Sequence, residues 1–221
     1  MKHILFVSEN LSKYKEIENY LKKSNANVSI QMIKPELEIQ EIQSLDRNQV
    51  IIRKLQDAYS SIKPLLNHHT ISTNNSTNDS ANTSANFSET WLMVEDTSLN
   101  IEKMGGFPGT FIKYYLQSLP ITSISHNNWG SNSTAYVTLG ICRCANDSAN
   151  DSANDSLLSA KVFEGLIDGL IVEPHGKNGF GYDPIFRPKG SQVTNAEMSI
   201  DEKEKYNPRT IAFQKVLNFL E

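Results

Sequence analysis

The stretch Trp91-Leu92-Met93-Val94-Glu95-Asp96-Thr97-Ser98-Leu99, followed by Gly105-Gly106-Phe107-Pro108-Gly109-Thr110-Phe111-Ile112-Lys113, decides how this chain is read. Trp91 to Val94 is an apolar run of strand length. It is predicted to end in two adjacent carboxylates, with a glycine-rich turn and then a lysine near a helix start behind it. Carboxylates at a strand's C-terminal end hold a hard cation well. Glycine-rich backbone next to a helix start suits a polyphosphate. Consecutive strand residues face opposite ways, so Glu95 and Asp96 make different contacts. Together these features point to metal-assisted chemistry on a nucleotide.

Strands and helices alternate on both sides of this stretch. His3 to Val7 reads as a buried strand, and Ser8-Glu9-Asn10 as a turn into a helix capped by Ser12. Tyr14, Ile17 and Leu21 share one face of that helix. Val28, Ile30 and Met32 alternate as a half-buried strand. Asp46 with Gln49 resembles a capping box, opening a helix with Ile51, Leu55, Ala58 and Ile62 on one face. Downstream come a helix from about Thr110 to Leu119 and strands over Ala135–Cys142 and Ala160–Leu170. Pro208 fits the first position of a final helix. The expected fold class is α/β, a mixed β-sheet flanked by helices.

At 221 residues and 38% hydrophobic, the chain can bury one sizeable core. Its net charge of -4 gives no case for nonspecific nucleic-acid binding. No run approaches the roughly 20 apolar residues of a membrane span. The apolar run in Met1–Val7 is too short for a signal peptide. The expectation is a cytoplasmic protein with neither nucleic acid nor membrane as a partner. Cys142 and Cys144 fit neither a zinc site nor a disulfide framework and read as reduced thiols. Two segments, about 67–88 and 144–156, are dominated by Asn, Ser and Thr or by a tandem Ala-Asn-Asp-Ser repeat from Ala145 to Ser156. Such composition cannot bury enough surface to order itself. Both read as disordered surface insertions in one domain spanning 1–221.

Other stretches carry chemistry less sharply. Ser8, Asn10 and Lys13 sit where a first strand turns into a helix and, with backbone amides, suit phosphate. Glu38 and Glu41 flank Gln40 after the second strand. Phe180-Gly181-Tyr182-Asp183-Pro184 offers rings for stacking and a carboxylate for a base edge. Asn195 to Lys203 is a charged run, with Arg209 six residues on. Taken singly, each also reads as a capped turn, a solvated loop or a hydrophobic turn.

Taken in order, these stretches resemble the inosine triphosphate pyrophosphatase family. The matching motifs are Ser8-Glu9-Asn10, Glu38-Ile39-Gln40, Glu95-Asp96-Thr97-Ser98 and Gly105-Gly106-Phe107-Pro108-Gly109 with Lys113. Then come Phe180 to Pro184, Ala196-Glu197-Met198 with Glu202-Lys203, and Asn207-Pro208-Arg209. The resemblance implies an elongated mixed sheet, two lobes around an active-site cleft, and a homodimer. It implies conversion of a non-standard purine nucleoside triphosphate (ITP, dITP or XTP) and water to the monophosphate and pyrophosphate. Glu38 and Asp96 would hold Mg²⁺, or Mn²⁺ in its place, and Asp96 would also orient or deprotonate the attacking water. Ser8, Asn10, Lys13, Lys54 and Lys113 would meet the triphosphate, with Lys113 beside Asp96 in the catalytic group. Phe180, Tyr182, Asp183, Lys203 and Arg209 would form the base pocket. Two positions depart from the family pattern: Glu9 replaces a small residue beside the phosphates, and Asn207-Pro208 replaces Ser-His. They motivate the alternatives of a non-catalytic nucleotide binder or an altered base preference.

Overall fold

A computed structural model of the chain describes residues 1–35, 39–67, 90–144 and 159–221, with the backbone alone for 64–67. Its elements are β1 (Lys2–Val7), α1 (Leu11–Lys23), β2 (Val28–Ile33), α2 (Arg47–Asn67), β3 (Thr90–Ile101), β4 (Pro108–Gly109), α3 (Ile112–Ser118) and α4 (Ile121–Asn128). They continue with β5 (Asn132–Arg143), β6 (Lys161–Ile171), β7 (Phe186–Pro188), α5 (Ile200–Glu204) and α6 (Pro208–Leu220). Single 3-10 turns occupy Glu102–Met104, Asp183–Ile185 and Asn195–Glu197.

The described strands form one open, mixed sheet of seven, ordered β2-β1-β3-β5-β6-β7, with β4 also on β3. β1 runs parallel to both neighbours, while β3, β5, β6 and β7 pair antiparallel. Alternation along each strand sends successive residues to opposite faces. Leu92 and Val94 of β3 therefore join Leu5, Val7 and the α2 residues Ile51, Leu55, Ala58 and Ile62 on one face. Met93 joins Ile4, Phe6, Ile17 of α1 and Phe213 of α6 on the other. A third cluster, around Leu99, Ile112, Ile124 and Phe186, lies at the far end of β3. Among the described residues, no helix is long and apolar enough to cross a membrane.

Several boundaries differ from the sequence expectation. β3 does not stop before the carboxylates but carries Glu95 and Asp96 in mid-strand, opposite Leu139 and Thr138 of β5. Polar residues continue the strand because β5 pairs its backbone and ionic partners take its side chains. Asn10, not Ser12, caps α1, its side chain accepting from the Ser12 and Lys13 amides. Asp46 caps α2 by accepting from the Asn48 amide at 2.8 Å. The expected return bond of the capping box is absent among the described residues, since Gln49 instead accepts from Ser44 Oγ. The predicted helix near Thr110–Leu119 is α3, and the polar α4 behind it was not foreseen.

Residues 68–89 and 145–158, which hold nearly all of the two Asn/Ser-rich segments, lie outside the described residues. The ends of those segments do not fit the insertion reading. Asn67 is the last residue of α2, and Cys144 is buried in the core with its amide bonded to the Thr90 carbonyl. Both thiols are free and buried, and burial pushes Cys142 up to about 12 and Cys144 higher still, so neither forms thiolate at neutral pH.

Candidate functional site

β1 ends at Val7, while β3 runs on. Along that edge β3 pairs with β1 through Met93 and with β4 from Leu99. Between these pairings, Glu95, Asp96 and Thr97 border a cavity of about 1170 Å³. That is somewhat above the roughly 300–1,000 Å³ typical of small-molecule sites. The turn after β1, the α1 start, Lys54, Glu95, Asp96, Lys113, Phe180–Asp183, Lys203 and Arg209 all line it.

The two adjacent carboxylates have opposite environments. Glu95 accepts from Arg209 Nε at 2.6 Å and Nη2 at 2.8 Å, and from Thr97 Oγ1 at 3.1 Å. Lys13 Nζ lies 3.1 Å from the same carboxylate. Its lone pairs are committed to holding α1 and α6 on β3. Asp96, on the α2 face, meets Lys54 Nζ at 3.0 Å through Oδ1. Its Oδ2 is buried and has no hydrogen-bond partner among the described residues. A buried carboxylate oxygen left unpaired is costly. Of the pair, Asp96 is therefore the one with capacity for a ligand or a water.

Lys54 projects from α2, one residue before core Leu55. Its Nζ also reaches the Glu95 carbonyl at 3.2 Å and Glu41 Oε1 at 3.5 Å. Burial works against the ammonium, but Asp96 and Glu41 outweigh it and raise the pKa, so Lys54 stays charged. Lys113, more exposed, lies 3.3 Å from Glu41 Oε2. Glu41 is thus the second acid of this end of the cleft. Glu38, the expected metal carboxylate, lies outside the described residues. The signal for Glu41 is in the sequence: Glu-Ile-Gln occurs twice in tandem, at 38–40 and at 41–43, and the motif fits either register.

Asp96 and Glu41 suit a divalent cation by donor chemistry, being hard oxygens, with Asp96 Oδ2 unpartnered among the described residues. Among the described residues no group of three or more His, Cys, Asp or Glu side chains could hold a metal. A cation here would complete its shell with phosphate and water, which is how Mg²⁺ is commonly bound.

The other end of the cleft is braced by a second ion network. Arg209 Nη1 also pairs with Glu16 of α1, and Asn207 Nδ2 donates to Glu16 Oε2 at 2.6 Å. Lys203 donates to Glu16 at 3.0 Å and to Asp183 at 2.8 Å. Asp183 also accepts from the Phe180 amide at 2.8 Å and from Asn195 Nδ2 at 3.3 Å. Both its oxygens face protein donors, so in this structure it orders the loop that carries Phe180. Phe180 is half-buried, with Lys203 Nζ 5.1 Å and Arg209 Cζ 5.7 Å from its ring centroid. Tyr182 is packed into the third cluster with its ring edge-on to Phe186. Two glycines allow this packing. A Cβ on Gly179, at φ +79°, would overlap the Asp183 carboxylate, and one on Gly165 of β6 would overlap the Pro208 carbonyl at the α6 start. Two capping boxes, Thr194 with Glu197 and Ser199 with Glu202, set the approach to Lys203. Glu16 and these boxes were not singled out from sequence, although Ser/Thr-x-x-Glu is a legible signature.

The phosphate turn differs in detail from expectation. Asn10 Oδ1 takes the Ser12 and Lys13 amides, and Ser8 Oγ takes the Asn10 amide, so these donors are already committed. Lys13, Lys54 and Lys113, which also line the cleft, are stronger anion-binding groups than these committed donors. Glu9 is exposed, and its partner is Lys34 at 3.7 Å rather than Lys13.

The Glu95 network has a pH signature. Burial pushes the Glu95 carboxyl up, but Arg209 and Lys13 outweigh it and bring it from an ordinary 4.5 down to about 2. A depressed carboxyl stabilises the fold fully above its unfolded value and loses that contribution as pH falls through the folded one. Melting temperature should therefore fall between about pH 4.5 and pH 2, and Glu95→Gln should show a smaller fall over that window. An equal fall in both proteins would remove Glu95 as the cause.

The Ham1 family model matches residues 4–219. The chain is 30% identical to the inosine triphosphate pyrophosphatase of Batrachochytrium dendrobatidis over 180 residues, covering 77% of this chain and 88% of that protein. It is 28% identical to the inosine triphosphate pyrophosphatase of Saccharomyces cerevisiae over 226 residues, covering 98% and 95%. The fold matches the structure of a HAM1 protein from Coxiella burnetii with a TM-score of 0.67, at 22% identity, over 100% of this chain and 98% of that one.

Proposed function

The chain belongs to the Ham1 family, and from that membership we propose that it hydrolyses non-standard purine nucleoside triphosphates, such as ITP, dITP and XTP, to the monophosphate and pyrophosphate. The observation that carries this reading is the cleft itself. One end sets Lys54 on one oxygen of Asp96, leaves the other without a partner among the described residues, and places Lys113 beside Glu41; the other end sets Phe180 beneath two cations. Sanitising the nucleotide pool is the corresponding cellular role.

In this reading the purine stacks on Phe180, and Arg209 and Lys203 offer their remaining N–H donors to its edge. A 6-oxo purine accepts from such donors, whereas adenine presents a donor of its own there. The triphosphate runs along Lys13 toward Lys54 and Lys113, whose charges stabilise the anionic transition state. Asp96 holds the attacking water and takes its proton while the α–β phosphoanhydride bond breaks and pyrophosphate leaves. Asp96 and Glu41 would hold a divalent cation, proposed as Mg²⁺ with Mn²⁺ as a substitute; when bound it neutralises phosphate charge and acidifies water. The homodimer and the cytoplasmic location implied by the resemblance belong to the same proposal.

A pyrophosphate-release panel over ITP, XTP, dITP, GTP, ATP and UTP with Mg²⁺ tests the reading. ITP or XTP should turn over faster than ATP and GTP. Orthophosphate as the product would place the cleavage at another bond, and no turnover of any triphosphate would leave a nucleotide binder.

A further inference from the structure

We propose that Asn195 is a positioning residue of the base pocket: it holds the Asp183 carboxylate so that Oδ1 keeps an acceptor site for an N–H on the base edge, the donor that a 6-oxo purine carries at N1 and adenine lacks. The inference rests on the reading of this end of the cleft as a purine site. Asn195 stands one residue ahead of the Ala196-Glu197-Met198 motif. Asn195 and Asp183 both line the cleft, and they are 3% and 5% exposed. The two oxygens of Asp183 are used unequally. Oδ2 accepts from the Phe180 amide and from Lys203 Nζ, both at 2.8 Å, and Gly179 packs against it so closely that a Cβ would overlap it. Among the described residues, Oδ1 accepts only from Asn195 Nδ2, at 3.3 Å. A carboxylate oxygen takes about two hydrogen bonds, so Oδ2 is filled and Oδ1 has a site left.

The backbone fixes where the Asn195 side chain starts. Thr194 caps the 3-10 turn Asn195–Glu197, with Glu197 accepting from the Thr194 amide at 2.7 Å. The Ala196 carbonyl accepts from the Lys177 and Asn178 amides, which ties this turn to the stretch just ahead of Phe180 and Asp183. A carboxylate accepts and does not donate, so the amide nitrogen of Asn195 faces Asp183 and its carbonyl turns away. That carbonyl oxygen is buried with no partner among the described residues. Packing alone does not explain such a side chain, because a leucine of similar volume would fill the site with no polar oxygen to desolvate. Hypoxanthine and xanthine present N1–H to an acceptor. Adenine has a bare N1, which would meet the Asp183 oxygen lone pair to lone pair. Guanine carries the same N–H, so this contact separates 6-oxo purines from adenine and not one 6-oxo purine from another.

Calorimetric binding of IMP, AMP and 1-methyl-IMP to the parent and to Asn195→Leu tests this, with a melting curve on each protein. The parent should bind IMP at least about tenfold more tightly than AMP, and methylation at N1 should cost a similar factor, as expected when a buried polar group loses its partner. In Asn195→Leu, IMP should bind about fivefold to tenfold more weakly, AMP should stay within about twofold of the parent, and the methyl penalty should shrink to about twofold. The melting temperature should stay within about 2 °C of the parent, since an apolar group of similar volume replaces an unpaired carbonyl. Equal losses for IMP and AMP, an undiminished methyl penalty, or an IMP preference that survives in the variant or is absent from the parent would overturn the proposal. Should leucine unfold the protein, Asn195→Ala repeats the measurement; an unfolded alanine variant as well would make Asn195 structural and overturn it. No measurement here uses turnover. Loss of the hydrolase reading appears in the substrate panel, and loss of this inference in the IMP-to-AMP ratio.

Discussion

Asp96→Asn is expected to lower ITP turnover by about 10²–10⁴-fold, the range associated with a positioned proton acceptor, while leaving the melting temperature close to that of the parent. The substitution preserves volume and an acceptor for Lys54, which sits 3.0 Å from Asp96 Oδ1. It removes the negative charge and the basicity of the one strand carboxylate oxygen that lacks a partner among the described residues. The loss should fall on kcat more than on KM, since the phosphate-binding lysines remain. Steady-state kinetics with a melting curve on the same sample checks it. Near-parental kcat with an unchanged Mg²⁺ response would mean that Asp96 neither holds the cation nor handles the water.

Arg209→Met should give the largest effect on stability, about 3–5 kcal/mol, as expected when one partner of a buried ion pair is removed. For a chain of this size that is a fall in melting temperature on the order of 10 °C. Arg209 is 3% exposed and Glu95 4%. Methionine keeps most of the stem but leaves the Glu95 and Glu16 carboxylates in the interior with Lys13, Lys203, Thr97 and Asn207 as their remaining partners. The double change Arg209→Met with Glu95→Gln should recover part of the loss, because the stranded charge is then gone. Thermal denaturation of the parent, both singles and the double closes the cycle. A single variant as stable as the parent would show that the guanidinium does not hold α6 on the sheet.

The opposite orientation of Glu95 and Asp96 was legible because strand alternation depends on backbone geometry alone. The α2 core face was legible for the same kind of reason, with Ile51, Leu55, Ala58 and Ile62 at helical spacing and all buried together. The length of β3 was not. Glu95 through Ser98 look like a strand's end until the partners that neutralise Glu95, Arg209 and Lys13, are brought from the C-terminal helix and the first helix. Such partners are separated by more than a hundred residues in one case and eighty in the other, and no local pattern connects them. Glu16 was invisible for that reason, being one polar residue on a polar helix until Arg209, Lys203 and Asn207 surround it. Glu41 was a matter of register. A tandem Glu-Ile-Gln offers two equivalent matches to a short motif; Glu41 of the second lies beside Lys54 and Lys113, while Glu38 of the first lies outside the described residues.

The carboxylate pair in the middle of β3 also bears on how this protein can diverge. One side of the strand carries Asp96, Lys54 and Glu41, and the other carries Glu95, Arg209 and Glu16. In the proposed reading the first set serves bond cleavage, while the second braces the base end of the cleft and the fold with it. On that reading, substrate choice and bond cleavage meet at the backbone of two consecutive residues and at Lys13, which pairs with Glu95. A laboratory selection for a new base should therefore leave Asp96 and Lys54 intact, and changes it enriches at Glu16 or Asn207 should carry a fall in melting temperature, since both belong to the Arg209 network.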